Sequence, residues 1–388
     1  MKIAFPLIDK NAWRGGYNYL LNLFSALETT GGLNVQPVLF AGEEVKADDL
    51  IQFRSLSNTK IVKSCVFNRQ GRKWRQFEAL LSGRDNRAER LFLRHGIDAV
   101  FENAWYFGRR FKLPVIAWLP DFQHRHLPEM FSRYGYWRRE LGFRCQVSAG
   151  RCLLLSSGNA RKDLERFYPT CRATPHVVPF AVEFPDRMLS ARPDAVRQRY
   201  GLPAHFFFLP NQFYAHKNHS LVLSALARLE KNGQEIVVAA SGNPQDPRGA
   251  QTIQRLKHEI RHNHLETNFV FLGAIPYADV IGLMRSAAAL LNPSLFEGWS
   301  TSVEEAKALG TPMILSDLEV HREQAEGFAV FFKRHSSSSL AAALADCPQI
   351  GEERQAVEQT ARLAARQRRQ TFARKFAAVV RQCCGLDR

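Results

Sequence analysis

A chain of 388 residues is too long for one ordinary domain; at about 150 residues per domain, two or three are expected. Hydrophobic residues make up 45% and charged residues 23%, which excludes a mostly disordered or fibrous chain. Lys and Arg number 53 against 37 acids, and a net charge of +16 points to an anionic partner: nucleic acid, a lipid surface or phosphorylated substrates.

The excess is uneven. Residues 1–185 hold 28 basic and 17 acidic side chains, net +11, and the remainder is net +5. No apolar run nears the ~20 residues of a membrane-spanning helix. The opening MKIAFPLIDK has an apolar stretch too short for a secretory signal, interrupted by Asp9 and Lys10. It reads as a first strand of a cytosolic chain. Seven cysteines with no Cys-x-x-Cys pair fit reduced thiols better than disulfides or a zinc cage.

In chain order, strands are expected at Lys2–Pro6, Val35–Phe40, Ile97–Phe101, Val115–Leu119, Cys152–Ser156 and His176–Phe180. A second series follows at Phe206–Pro210, Ile236–Ser241, Phe269–Leu272, Ala288–Asn292, Pro312–Ser316 and Ala329–Phe332. Helix-period stretches such as Tyr17–Leu27 and Leu221–Lys231 alternate with them, which implies parallel sheets with crossover helices. Pro185, Pro193 and Pro203, in a polar setting, read as an interdomain connection. The expected fold class is therefore α/β: two Rossmann-like, doubly wound parallel-sheet domains facing across a cleft, at residues 1–185 and 186–365. Residues 366–388 continue a basic amphipathic helix with Leu363, Phe372, Phe376 and Val379 near one face, expected to dock on the body of the protein.

Near the start, Gly15 and Gly16 follow the first strand and open the first helix; a Gly-Gly pair is most simply a turn. Residues Asn68 to Arg94 hold eight basic and three acidic residues interleaved with Trp74, Phe77, Leu80 and Leu81. This is either a solvated helix face or an attachment site for anionic lipid, extended by Arg133, Trp137, Arg138 and Arg139. After the strand at 115–119 come Asp121, His124 and His126. After the strand at 206–210 comes Asn211-Gln-Phe-Tyr-Ala-His-Lys217, whose lysine sits at a loop–helix junction suited to a pyrophosphate.

The stretch from Asn292 to Gly310 says most. A strand ends in a loop with Glu297 and Gly298, and a helix opens near Thr301 or Ser302, since Thr301 with Glu304 and Ser302 with Glu305 both fit a capping box. Gly310 stops it. Free N–H groups at 300–303 with the helix dipole would make an anion site. Glu297 and Glu305, eight positions apart, could flank a bound diphosphate, or be ordinary solvated residues.

This stretch resembles the Glu-x7-Glu signature of retaining GT-B glycosyltransferases of family 4 (glycosyl transferases group 1), and Asn268-Phe-Val-Phe-Leu-Gly-Ala-Ile-Pro and Val280-Ile-Gly-Leu-Met-Arg-Ser-Ala precede it in the family's order. The likeness covers residues 200–330 strongly and the first half loosely, and the loop at 211–219 is similar to that of enzymes of bacterial surface-polysaccharide assembly. It implies that Glu305 holds the ribose and Glu297 the donor sugar. It also implies that Gly298, Trp299, Ser300, Thr301 and Ser302 lie against the diphosphate and sugar. Lys217 would meet the phosphates, with Asn211 where the family usually has Arg, and Gly15 and Gly16 would let the backbone approach them. Asp121 and His124 fall in the region that contacts the sugar, with Pro120 where the family often has His.

Catalytic roles are thus expected for Glu297, Lys217, Asp121 and His124. No cofactor and no divalent metal are expected, since there is no Asp-x-Asp motif. His258-Glu-Ile-Arg-His262, although it has zincin spacing, reads as a surface helix. The expected partners are a UDP-, GDP- or dTDP-linked sugar, a lipid-linked saccharide acceptor and an anionic membrane, with no nucleic acid. The reaction would transfer a hexose or deoxyhexose to a lipid-linked glycan or lipopolysaccharide at the inner face of the cytoplasmic membrane. The alternatives are a sugar phosphorylase or nucleotide-sugar epimerase on the same fold, or a basic nucleic-acid-binding protein, which would leave the two glutamates unexplained.

Overall fold

The structure is a computed structural model that describes residues 1–103, 105–348, 351 and 353–386. The chain divides into two compact units, one of residues 1–181 with 367–388 and the other of residues 182–366.

In the first unit seven parallel strands are ordered β3-β2-β1-β4-β5-β6-β7. They are β1 (Lys2–Pro6), β2 (Gln36–Ala41), β3 (Lys60–Lys63), β4 (Ala99–Glu102), β5 (Val115–Leu119), β6 (Cys152–Leu155) and β7 (Thr174–Val177). The central strands β4 and β5 are buried throughout, as expected of strands covered on both faces. Two edge strands depart from expectation. β3 was not anticipated, because its sequence KIVK is lysine-flanked and half exposed, as edges that resist further pairing often are. β7 begins two residues earlier than expected and stops at Val177, with Val178 bonding back to Leu155.

The end of the long helix Arg354–Cys383 returns to this unit. Phe372, Phe376 and Val380 are buried, and Phe376 lies 6.0 Å from Phe5 and 6.1 Å from Phe101. Each such phenylalanine contributes about 2 kcal/mol by leaving water, which explains why a helix this basic docks. Leu363, expected on the same face, is exposed and belongs to the second unit.

In the second unit six parallel strands are ordered β10-β9-β8-β11-β12-β13. They are β8 (Phe207–Leu209), β9 (Val238–Ser241), β10 (Phe269–Gly273), β11 (Ala289–Asn292), β12 (Met313–Ser316) and β13 (Ala329–Phe332). The proline-rich stretch after residue 182 is no free linker. Val196 is buried beside Gly282, and Arg199 and Tyr200 bind Asp279 at 2.9 and 2.7 Å. Strand order reverses between β8 and β11, and in open α/β sheets ligands bind beyond the carboxyl ends of strands at that point.

Candidate functional site

The loops after β8 and β11 meet at that reversal. Lys217 sits on the first, in the 3-10 turn Ala215–Lys217 ahead of the helix His219–Lys231. Glu297 sits on the second, and the Lys217 ammonium donates to its Oε1 at 2.6 Å. Ser294 Oγ at 2.8 Å and Asn292 Nδ2 at 3.3 Å donate to the same oxygen.

Asn292, last residue of β11 and fully buried, organises the group. Its Oδ1 accepts from Ser294 N at 3.2 Å and from Asn211 Nδ2 at 3.4 Å, and its Nδ2 donates to Ser300 Oγ at 3.0 Å. Asn211 therefore joins the two loops.

Burial by itself would raise the pKa of Glu297. The charge of Lys217, then that of His321, the hydrogen bond from Lys217 and the charge of His216 outweigh burial and hold it at about 2. Glu297 is thus a carboxylate at any physiological pH. His321 is fully buried, its Nδ1 3.0 Å from the Ser316 carbonyl oxygen, while its Nε2 has no hydrogen-bond partner. Burial lowers its pKa against the pull of Glu297.

The helix Thr301–Leu309 starts one residue after Ser300 and ends at Gly310, whose φ of +66° is the left-handed C-cap conformation. Neither expected capping box forms: Thr301 and Ser302 lie inside the helix, and Ser300 is the N-cap without a side-chain cap bond. Gln324, on the helix Glu319–Ala325, does the capping from outside. It accepts from Ser300 N at 3.1 Å and donates to the Ser300 carbonyl at 2.8 Å and to Glu304 Oε1 at 3.0 Å. Ser300's N–H, expected to be open to an anion, is thereby occupied. Gly298, Trp299 and Thr301 are partly exposed, while Ser302 is buried, its Oγ 3.2 Å from that of Ser300.

Glu305, on the same helix, is buried and not solvated. Its partner is Tyr277, first residue of the helix Tyr277–Ser286, whose hydroxyl donates to Oε1 at 2.5 Å. Desolvation raises the Glu305 pKa to about 7 despite that hydrogen bond. The two glutamates of one motif are therefore tuned in opposite directions by one neighbour, a lysine at Glu297 and none at Glu305.

In the first unit the expected residues are placed differently. Gly15 and Gly16 form the first turn of the helix Arg14–Thr29, and a Cβ on Gly16 would lie 2.5 Å from the Trp13 ring. Trp13 folds over this turn and stacks on Trp118 at 5.0 Å, so these glycines first of all make room for an indole. Asp121 accepts from Arg139 at 2.5 Å and from Gln123 N at 2.9 Å. His124 has no exposed surface; its Nε2 is 3.1 Å from Glu140, which also takes Arg125, Arg144 and the Tyr168 hydroxyl. With no open surface, His124 cannot touch a substrate. It ties the short helix Gln123–His126 to the helix Arg133–Ser148. Asp121 remains partly accessible but paired.

The rings of His258 and His262 stack on the exposed side of the helix Ala250–His262. Among the described residues no group of three His, Cys, Asp or Glu is arranged to hold a metal. No helix among them is long and apolar enough to cross a membrane. The sequence reading missed Gln324 and His321, both on the helix Glu319–Ala325, and Tyr277 on the helix Tyr277–Ser286, none of which carries a local motif.

Residues 197–364, which contain every one of these second-unit contacts, match the sequence family described as Glycosyl transferases group 1. The second unit carries a glycosyl transferases group 1 domain. EpsF of Bacillus subtilis (strain 168), which carries a glycosyltransferase name, is 29% identical over 106 residues, 27% of this chain and 26% of its own length. The match thus spans about a quarter of that relative. Among solved structures, Anabaena Alr3699/HepE in complex with UDP aligns with a TM-score of 0.69 at 17% identity, covering 98% of this chain and 100% of that one. WaaG, a glycosyltransferase involved in lipopolysaccharide biosynthesis, aligns with a TM-score of 0.60 at 14% identity, covering 99% and 98%. These likenesses establish the GT-B fold for the whole chain, beyond the group 1 domain.

Proposed function

We propose that this chain is a retaining glycosyltransferase of family 4. It moves a hexose or deoxyhexose from a UDP-, GDP- or dTDP-linked sugar to a hydroxyl of a lipid-linked glycan or lipopolysaccharide acceptor. The observation that carries the reading is the Lys217–Glu297 pair at the strand-order reversal of a group 1 domain, with buried Glu305 on the helix that follows Glu297.

Glu305 receives the ribose hydroxyls, which replace the Tyr277 hydroxyl as its donors. Lys217 turns from Glu297 to the diphosphate, and Glu297 is then free to accept from the donor sugar. A carboxylate held near a pKa of 2 with three donors on one oxygen is a weak base and a poor nucleophile. The reaction accordingly takes a front-face course: the leaving phosphate accepts the acceptor's proton as the new bond forms on the side the old one leaves. Lys217 and the N-terminal end of the helix Thr301–Leu309 stabilise the developing charge, in place of a divalent ion. The first unit, with Asp121, takes the acceptor, at the inner face of the cytoplasmic membrane in surface-polysaccharide or O-antigen assembly.

Calorimetry with nucleoside, nucleoside diphosphate and intact donor tests these roles. Glu305→Ala should weaken all three ligands, by roughly ten- to a hundredfold for a hydrogen bond to a charged group. Lys217→Ala should weaken the diphosphate and spare the nucleoside. Glu297→Gln should leave diphosphate binding intact or tighter, since it frees Lys217, while transfer collapses. Wild-type binding and turnover in both glutamate variants would overturn the assignment.

A further inference from the structure

Two helices of the first unit carry large apolar side chains on their outward faces. On Arg72–Ser82 the inward positions include Arg75 and Ala79, 6% and 0% exposed, while Trp74, Phe77 and Leu81 are 69%, 50% and 74% exposed. On Arg133–Ser148 the inward positions are Phe143 and Val147 together with Glu140 and Gln146, yet Tyr134, Trp137 and Leu141 are 70%, 60% and 53% exposed. A surface helix of a globular protein ordinarily keeps large apolar side chains off its outer face. Both outward sets follow the same i, i+3, i+7 spacing, which puts each in one stripe along its helix.

The helices are neighbours. Gln76 on the first accepts from Tyr106 N at 3.1 Å and Gln146 on the second donates to the Asn103 carbonyl at 3.4 Å, so both pack on the segment that follows β4, and the charge of Arg138 reaches Arg72. Together they carry seven basic residues against two acidic ones, and one of those two, Glu140, is buried. Lys73, Arg133 and Arg138 are exposed among the aromatic side chains.

We infer that the helices Arg72–Ser82 and Arg133–Ser148 form one docking face for an anionic lipid bilayer. Tryptophan, tyrosine and leucine enter at headgroup depth, where rings that are apolar with one polar edge reside, and the basic side chains meet the lipid phosphates. A second copy of this chain is a poor occupant, because its own face is equally basic. The inference goes beyond the transfer reaction and does not need it, since a vesicle is bound or not without any sugar donor.

The test uses the whole chain with vesicles of phosphatidylglycerol or of phosphatidylcholine, followed by sedimentation and tryptophan fluorescence. The wild type should sediment with phosphatidylglycerol, shift its emission to the blue and be quenched by brominated lipid. Rising salt should weaken binding, because exposed charges are screened beyond ~8–10 Å. Lys73→Glu with Arg138→Glu should reduce binding by roughly twenty-fivefold or more, at about fivefold per basic residue. Trp74→Ser with Leu81→Ser, and Trp137→Ser with Leu141→Ser, should each cut the blue shift and leave a residual binding that salt abolishes. Equal binding to both lipids, or sedimentation without quenching of the wild type, would overturn the inference. So would a concentration-dependent dimer that shields these tryptophans in the absence of lipid. The quenching experiment needs no variant, so a substitution that fails to fold leaves the inference testable.

Discussion

The candidate residues of the two units both follow the carboxyl ends of strands, but the pairs they make differ in kind. In the first unit Asp121 pairs with Arg139 and His124 with Glu140, each within one strand-end loop and the helix that follows, 18 and 16 residues apart. In the second unit Lys217 pairs with Glu297 across 80 residues, between loops that only the reversal of strand order brings together. A short-range pair fastens a loop to its own helix and would do so in any protein with that local structure. The long-range pair sits where two loops meet, and it holds together a cation and an anion that a diphosphate and a sugar could divide between them.

The largest effect that could break this contrast is on the long-range pair. Lys217→Ala or Glu297→Ala alone should cost about 3 kcal/mol, since each strands a partner that is only 15% or 10% exposed. Lys217→Met combined with Glu297→Gln should recover most of that stability and none of the transfer. Chemical denaturation of the three variants decides it. Full transfer by the stable double variant would make the pair architectural, like those of the first unit.

The second effect concerns the unpaired glutamate. Glu305 has a folded-state pKa raised to about 7, so between its unfolded value and 7 the native state binds more protons than the unfolded chain. Stability should therefore fall as pH rises through that window. Glu305→Gln removes the penalty: it should be more stable than wild type by roughly 2–3 kcal/mol at pH 8 and match it near pH 4. Melting curves across that range check the sign. In the wild type, nucleotide affinity should rise over the same window, as the carboxylate proposed to accept the ribose forms.

The smallest effect belongs to the first unit. Asp121→Asn breaks a partly exposed pair and should change stability by less than ~1 kcal/mol, leaving nucleotide binding untouched. A tenfold loss of nucleotide affinity in this variant would erase the distinction between the two units.

The α/β class, the central strands and the helix Thr301–Leu309 with its Gly310 stop were legible from sequence, because periodicity and stop signals are local. The edge strand Lys60–Lys63 was not, because lysines that keep an edge unpaired also mask the strand pattern. Trp74, Phe77 and Leu81 could be seen among basic residues, yet only the packing shows that Arg75 and Ala79 took the inward side.

At the site, sequence alone determined which residues could matter, since Glu297, Lys217 and Glu305 stand in segments whose strand–loop–helix form is locally encoded. Tertiary structure decided what each one is. It joined Lys217 to Glu297, enclosed Glu305 with a phenol instead of a cation, and brought Gln324 to a helix end whose own capping residues went unused. It also closed His124 away behind Glu140. Charge state depends on burial and on neighbours within a few ångströms. In an α/β fold those neighbours come from strand order, which no single segment of the chain contains.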